Sequence, residues 1–307
     1  MKKLAAMFAG VLLAATLVVP TAADEADYTI VVNLKTLSSE YWQNVKSGID
    51  KAAEELGIEI DVQGAAAETE IAEQVQQLET MLAANPDAII IAPLDGDAVI
   101  GAIESAGYEG LVIFCDTNCD YENKVSFVGT SNEDAAYNGG VYGAAINGAD
   151  TKALIIYGQE GDNTSNLRKS GYEKALEEAG VEPVAEMSGN NTTDGATKVM
   201  EDMLNAYPDG INLVLCHNDD TAIGALNAIQ AAGAEGISII GFDGNQSAIE
   251  LIDSGDITAT IAQQPALMGY ESVMTAVAAL KGEEVEENVS VDTVIIDTEN
   301  CADYLAE

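Results

Sequence analysis

From Tyr28 to its end the chain alternates short, almost unbroken apolar runs with longer stretches of helical periodicity. That alternation limits the fold more than any other feature. Apolar runs without a polar face suit strands buried on both sides, and the helical stretches between them supply the covering layers, so parallel sheets are expected. The runs predict strands at 28–33, 58–62, 88–92, 111–115, 125–128, 153–157, 184–187, 211–216, 237–241, 257–261 and 291–296. Helices are predicted at 43–56, 71–84, 98–106, 134–147, 167–179, 196–206, 221–232, 247–252 and 267–280. Eleven such strands are too many for one compact lobe, and 307 residues suffice for two cores, so two α/β lobes with doubly wound sheets are expected. The pattern breaks near Val128-Gly-Thr-Ser-Asn132 and restarts beyond it, with no long linker or repeat. Glu283 to Asn288 is acidic and reads as a surface turn or a crossover, the charges favouring the turn.

Composition narrows the partners. With 12 basic against 52 acidic residues, the formal charge is −40. Nucleic acids and anionic membranes both require clustered cations, so neither is expected. Lys2 and Lys3, the apolar run Leu4–Val19 and Pro20-Thr-Ala-Ala23 make an export signal, residues 1–23, with cleavage after Ala23. No cysteine stands at the cleavage site for a lipid anchor. A soluble periplasmic protein is expected, or a secreted one where there is no outer membrane. Cys115 and Cys119 are spaced for a small loop bridge or remain as one buried and one exposed thiol, and a Cys216–Cys301 bridge is less favoured.

The stretch Leu34-Lys-Thr-Leu-Ser-Ser-Glu-Tyr-Trp42 lies between the first strand and the first helix, where open α/β sheets bind ligands. It places a lysine, three hydroxyls, Tyr41 and the only tryptophan together in a chain with 5% aromatics. These residues are either core or a platform for a polyhydroxylated ligand. Other strand ends carry Asp116, then His217-Asn218-Asp219-Asp220, Asp243-Gly244-Asn245 and Gln263-Gln264. Such carboxylates and amides pair with vicinal hydroxyls. Singly, each is a helix cap or turn residue by default, the favoured reading for Asp219 and Asp220.

Several chemistries lack their residues. His217 is the sole histidine and no GxSxG elbow accompanies it, so it reads as a neighbour of the cleft rather than a base. No GxGxxG or P-loop occurs. Asp116, Asn118, Asp120 and Glu122 alternate as in a calcium loop, but Tyr121 and Phe127 occupy the glycine and closing-glutamate positions. No catalytic residue, metal or cofactor is expected.

The motifs KTLSSEYW, IIIAPLDGDA (89–98), VIFCDT (112–117), LCHNDDTAIGAL (215–226), IIGFDG (239–244) and ATIAQQP (259–265) resemble those of periplasmic sugar-binding proteins of the ribose and allose type, in the same order and over nearly all of the chain after residue 23. The resemblance implies two doubly wound lobes, 24–129 plus 264–288 and 130–263 plus 289–307. They would be joined by crossovers near Gly129–Thr130, Gln263–Gln264 and Asn288–Val289, with the ligand in the cleft. It implies a hinge-closing receptor for an ABC permease rather than an enzyme, monomeric, with a chemoreceptor as a further possible reader. The implied ligand residues are Lys35, Ser39, Tyr41, Trp42 and Asp116 from the first lobe, and Asn218, Asp243 and Gln263 from the second lobe and hinge.

The chain departs from the ribose pattern at Thr117, where an arginine stands, and at Asn166, in place of the second-lobe arginine, with Arg168 two residues on as a substitute. Asn191 replaces the second-lobe aromatic, and Ser39 replaces an asparagine. These changes leave a pentose, a hexose, a polyol or a furanosyl signalling molecule open. The rival readings are a secreted α/β enzyme using Asp116 or Asp243 as a base and, third, a repressor core of the same fold. The missing DNA-binding head and the export signal both count against the repressor.

Overall fold

The computed structural model describes residues 28–208 and 210–305. The expected export signal lies outside the described residues. The first sheet contains β1 (Ile30–Thr36), β2 (Ile60–Ala65), β3 (Ala88–Ile91), β4 (Leu111–Cys115), β5 (Ser126–Gly129) and β11 (Asn288–Ser290), in the spatial order β11-β5-β4-β3-β1-β2. The second contains β6 (Ala153–Tyr157), β7 (Ala185–Ser188), β8 (Leu213–Cys216), β9 (Ser238–Asp243), β10 (Ala259–Ala262) and β12 (Val294–Asp297), in the order β12-β10-β9-β8-β6-β7. The two orders correspond strand for strand. Both are doubly wound, and ligands of such sheets bind beyond the carboxyl ends at the switch point.

Helices cover both faces. In the first lobe these are α1 (Glu40–Leu56), α2 (Ile71–Ala83), α3 (Gly96–Ala106) and α9 (Pro265–Leu280). In the second they are α4 (Asn132–Asn147), α5 (Asn163–Glu178), α6 (Thr193–Ala206), α7 (Asp219–Ala232) and α8 (Gln246–Asp253). The central strands are the apolar runs themselves: all four residues of β3 and of β8 are buried, in separate cores. The helices α1, α7 and α9 start two or three residues before the periodicity predicts. In α7 the first turn is Asp219-Asp220-Thr221 behind the Asn218 cap, in α1 it opens on Glu40 and carries two site aromatics, and in α9 it opens on Pro265 at the first helical position, none of which hydrophobic spacing registers.

The chain passes between the sheets three times: between β5 and α4, between β10 and α9, and between β11 and β12. The third passage corrects the expected one. Asn288–Ser290 is a strand, parallel to Phe127–Gly129, so residues 289–290 stay in the first sheet and the chain leaves it at 291–293. This short edge strand has an exposed–half-buried–exposed pattern, and backbone pairing can hold it without an apolar run. β12 enters the second sheet at the edge where the other strands end, so it must run antiparallel to β10.

Candidate functional site

The carboxyl ends of both sheets face one cleft, and the space left between them is about 20 Å3. The first lobe contributes Lys35, Ser39, Tyr41, Trp42, Glu68 and Asp116 to its walls. Lys35 lies near the end of β1 and is 2% exposed. Ser39 is the N-cap of α1, yet its hydroxyl makes no capping bond and has no partner. Tyr41 and Trp42 occupy the first turn of α1 rather than a loop, edge to face with ring centroids 5.1 Å apart. Tyr41 Oη donates to Asp116 Oδ1 at 2.6 Å, and Trp42 Nε1 donates to Glu68 Oε1 at 2.7 Å. Thr117 Oγ1 donates to Asp116 Oδ2 at 2.7 Å.

The second lobe contributes Thr164, Arg168, His217, Asn218, Asp220 and Asp243. Arg168 is held through Nε, Nη1 and the face of its guanidinium. Nε donates to Asn132 Oδ1 and Nη1 to the His217 carbonyl, each at 2.8 Å, and Nη1 lies 3.6 Å from Asp243 Oδ1. The guanidinium carbon sits 3.6 Å from the centroid of the Phe242 ring. Asn218 keeps its default role as well, since it forms a reciprocal capping box with Thr221 at the start of α7. Asp219 is fully buried beneath the site. It accepts from Thr260 Oγ1 at 2.7 Å and the Asn245 amide at 2.8 Å, tying α7 to the two neighbouring strand ends.

Asp116 and Asp243 occupy corresponding places, just past β4 and at the end of β9, with φ of +64° and +127°. Non-glycine residues avoid positive φ, at a cost of about 1–3 kcal/mol each. The neighbouring strands hold both in place: the Asp116 amide donates to the Val128 carbonyl at 2.8 Å, and the Asp243 carbonyl accepts from the Gln263 amide at 2.9 Å.

Polar groups of the two lobes also meet directly. Lys35 Nζ lies 2.6 Å from Asp162 Oδ2, a fully buried ion pair. Asn191 Nδ2 donates to Glu68 Oε2 at 2.7 Å, and the Thr117 and Thr164 hydroxyls are 2.9 Å apart. Glu40 reaches the start of α8: Oε1 accepts from the Gln246 amide at 2.6 Å and Oε2 from Ser247 Oγ at 3.0 Å. The N-cap of α8, Asn245, makes no side-chain capping bond of its own.

Four carboxylates and two cations line the cleft. Burial opposes the Lys35 ammonium, but Asp162, Glu68 and Asp116 outweigh it and the pKa ends above that of free lysine. Burial raises Glu68 despite Lys35 and the donors Trp42 and Asn191. Burial likewise raises Asp243 well above the carboxylate range, with Arg168 opposing and Asp219 adding to the rise. His217 is pushed well below the ordinary histidine value by burial and then by Arg168 and Lys35.

Of the residues expected from sequence, Lys35, Ser39, Tyr41, Trp42, Asp116, Arg168, Asn218 and Asp243 line the cleft. Gln263 stands behind it, with Nε2 donating to Asp243 Oδ1 at 2.9 Å. Asn191 bonds Glu68 from outside the lining. Asn166 is a correction: it is exposed and off the cavity. At 100° per residue, position 166 faces away from the side of α5 that presents Thr164 and Arg168. His217 stands on the cleft, as expected of a neighbour to it, while Glu68, Asp162, Thr164 and the place of Asp220 in the lining were not anticipated. Asp162 and Thr164 follow β6, so the strand-end rule that found Asp116 reaches them once the intervening loop is allowed for. The four cysteines are buried free thiols: neither of the bridges weighed from the spacing forms, and Cys119 is buried like Cys115 rather than exposed. Burial pushes Cys115 and Cys119 up to about 12.

A family model described as a periplasmic binding protein domain matches residues 30–284. The ribose import binding protein RbsB of Bacillus subtilis is 30% identical over 269 residues, covering 87% of this chain and 86% of that protein. The D-allose-binding periplasmic protein of Escherichia coli is 29% identical over 271 residues, covering 85% and 86%. Among solved structures, a periplasmic solute-binding protein of an ABC transporter from Actinobacillus succinogenes, with bound D-allose, aligns with a TM-score of 0.82 and 31% identity, over 90% of this chain and all of that one. A carbohydrate-transporter solute-binding protein from Agrobacterium radiobacter in complex with D-arabinose aligns at 0.85 and 29%, over 91% and 97%.

Proposed function

The chain belongs to the periplasmic binding protein family, and from that premise we propose that it is an exported receptor that captures a small neutral sugar in its cleft and presents it to an ABC permease by hinge closure. The observation that carries this reading is the pairing of Asp116 and Asp243, two strained carboxylates from corresponding strand ends that enter one cavity. Each carboxylate accepts two hydroxyls at once, the geometry of a vicinal diol. Lys35, Ser39, Asn218 and Arg168 add donors, Gln263 orients Asp243, and Tyr41 and Trp42 give a C–H surface its apolar contact. Both cations already have carboxylate partners, Lys35 with Asp162 and Arg168 with Asp243, so no positive charge is left to receive an anionic sugar.

The second reading, a polyol or furanosyl ligand, draws support from the aromatics. The phenyl and indole rings on the cleft, Tyr41 and Trp42, both come from the first lobe, while Phe242 is covered by Arg168. A pyranose with two apolar faces lacks its second plate, whereas a compact, hydroxyl-rich furanose or open-chain polyol does not need one. Residues 1–23 direct export, the receptor acts as a monomer without turnover, and a chemoreceptor is a further candidate partner. Calorimetry with D-ribose, D-allose, D-arabinose and ribitol, together with mass spectrometry of whatever co-purifies, tests the reading. Micromolar or tighter binding of one of them without chemical change supports it. Conversion of the ligand to product would move the chain to the enzyme class, and no binding by any of the four would remove the sugar class.

A further inference from the structure

We propose that His217 is a specificity-determining residue of the cleft, its imidazole Nδ1 hydrogen-bonding one hydroxyl of the bound ligand. The proposal rests on the sugar-receptor reading above. His217 follows β8 and immediately precedes the N-cap of α7. Its backbone is fixed on both sides: the amide donates to the Ile156 carbonyl at 2.8 Å and the carbonyl accepts from Arg168. The ring packs over Gly158, where a Cβ would come within 2.9 Å of Cγ and Cδ2, so this wall of the cleft has room for the ring only because residue 158 has no side chain. The side chain is 4% exposed and lines the cavity, and Nδ1 has no partner within the protein.

Buried polar atoms in folded proteins nearly always have a partner. Among the other polar groups of the cleft, Lys35 is engaged with Asp162, Arg168 with Asp243, Tyr41 with Asp116 and Glu68 with Asn191, while the Ser39 hydroxyl of the first lobe is, like Nδ1, without a partner within the protein. The charged groups that act on the ring are Arg168 from α5 and Lys35 from β1, and both oppose its protonation. The ring therefore offers one donor and one acceptor. A hydroxyl satisfies an imidazole in either tautomer. An ammonium on the ligand would meet the two cations, and a deoxy position would leave Nδ1 unpaired. A site built to bond a hydroxyl rejects the analogue that lacks it, and His217 would apply that rule to one position of the ligand.

Because His217 is the only histidine in the chain, 15N-histidine labelling shows one imidazole, with separate Nδ1 and Nε2 signals. The full chain, purified and freed of ligand, would be titrated from pH 5 to 8 and then with D-ribose, D-allose and D-arabinose. The expected result is a neutral ring throughout, with an Nδ1 shift that moves on addition of whichever sugar binds. His217→Leu should weaken that binding by about 10- to 100-fold, and His217→Asn, whose amide can take the place of Nδ1, should restore most of it. A sugar that binds without moving the Nδ1 signal, or that binds the folded Leu variant as tightly as the natural protein, overturns the role of His217 and leaves the receptor reading intact. The NMR readout does not depend on the Leu variant folding. If none of the sugars binds, both the receptor reading and the His217 contact fall.

Discussion

The two lobes have the same strand order but meet the cleft with different chemistry. Each places an aspartate in a positive-φ conformation beyond the corresponding strand, Asp116 after β4 and Asp243 at the end of β9. The first lobe surrounds its aspartate with Tyr41, Trp42 and Lys35, and the second surrounds its own with Arg168, His217 and Asn218. One half thus offers flat apolar area and the other a dense set of hydrogen-bonding groups. A shared sheet topology fixes where a ligand is held, while the loop residues decide what holds it.

That comparison can be broken in order of expected effect. If the two aspartates are equivalent, Asp116→Ala and Asp243→Ala should each weaken sugar binding by about 100-fold or more, roughly 3 kcal/mol, in calorimetry. Unequal losses would show that the symmetry is one of position alone. Trp42→Leu should cost about 1–2 kcal/mol of affinity. Phe242→Leu, on the second lobe, should leave affinity within a few-fold and lower the melting temperature instead, because its ring is buried and serves as the seat of Arg168.

Changing the pH separates the buried titratable groups of the cleft, and the opposition runs within the second lobe, between His217 and Asp243. His217, neutral in the fold, takes up a proton on unfolding below about pH 6.5, the usual histidine value. The unfolded chain then binds more protons, so this contribution to stability is complete above that pH and is lost on acidification, by up to about 1.4 kcal/mol per pH unit. Glu68 and Asp243 act in the opposite sense: their raised pKa values mean the fold holds protons that the unfolded chain has released, and stability falls as pH rises above the ordinary carboxylate range. Thermal melts of the natural protein and His217→Asn should therefore diverge between pH 6.5 and 5, with the natural protein losing more. Parallel curves would show that His217 titrates normally. The smallest effect belongs to Glu40. Glu40→Gln should weaken binding by about three- to fivefold, the worth of one charged cap, chiefly through faster release seen by stopped-flow Trp42 fluorescence.

Much of this was legible in the chain. Buried strands are written as apolar runs, and the small polar residues after them marked Asp116, Asn218 and Asp243 in advance. What escaped was set by geometry without an apolar signature. β11 is an edge strand held by backbone pairing, so its residues read only as the end of the acidic Glu283–Asn288 turn and the crossover after it. At 166 and 168 motif alignment pointed to Asn166 and held Arg168 as its substitute; helical rotation, which alignment does not count, brings Arg168 to the cleft. Glu68 and Asp162 stand on loops that run some way past their strands, and only the fold brings them to Lys35, Trp42 and Asn191.

The arrangement at Glu40 carries a consequence for α8. This eight-residue helix takes the acceptor for its first amide from the other half of the molecule, since the Asn245 side chain makes no capping bond. Any parting of the halves takes the Glu40 carboxylate away from the Gln246 and Ser247 amides, and so short a helix has few bonds with which to resist fraying. Solvent exchange at those two amides would then act as a built-in gauge of how far the jaws stand apart, readable without a label and without knowing the guest.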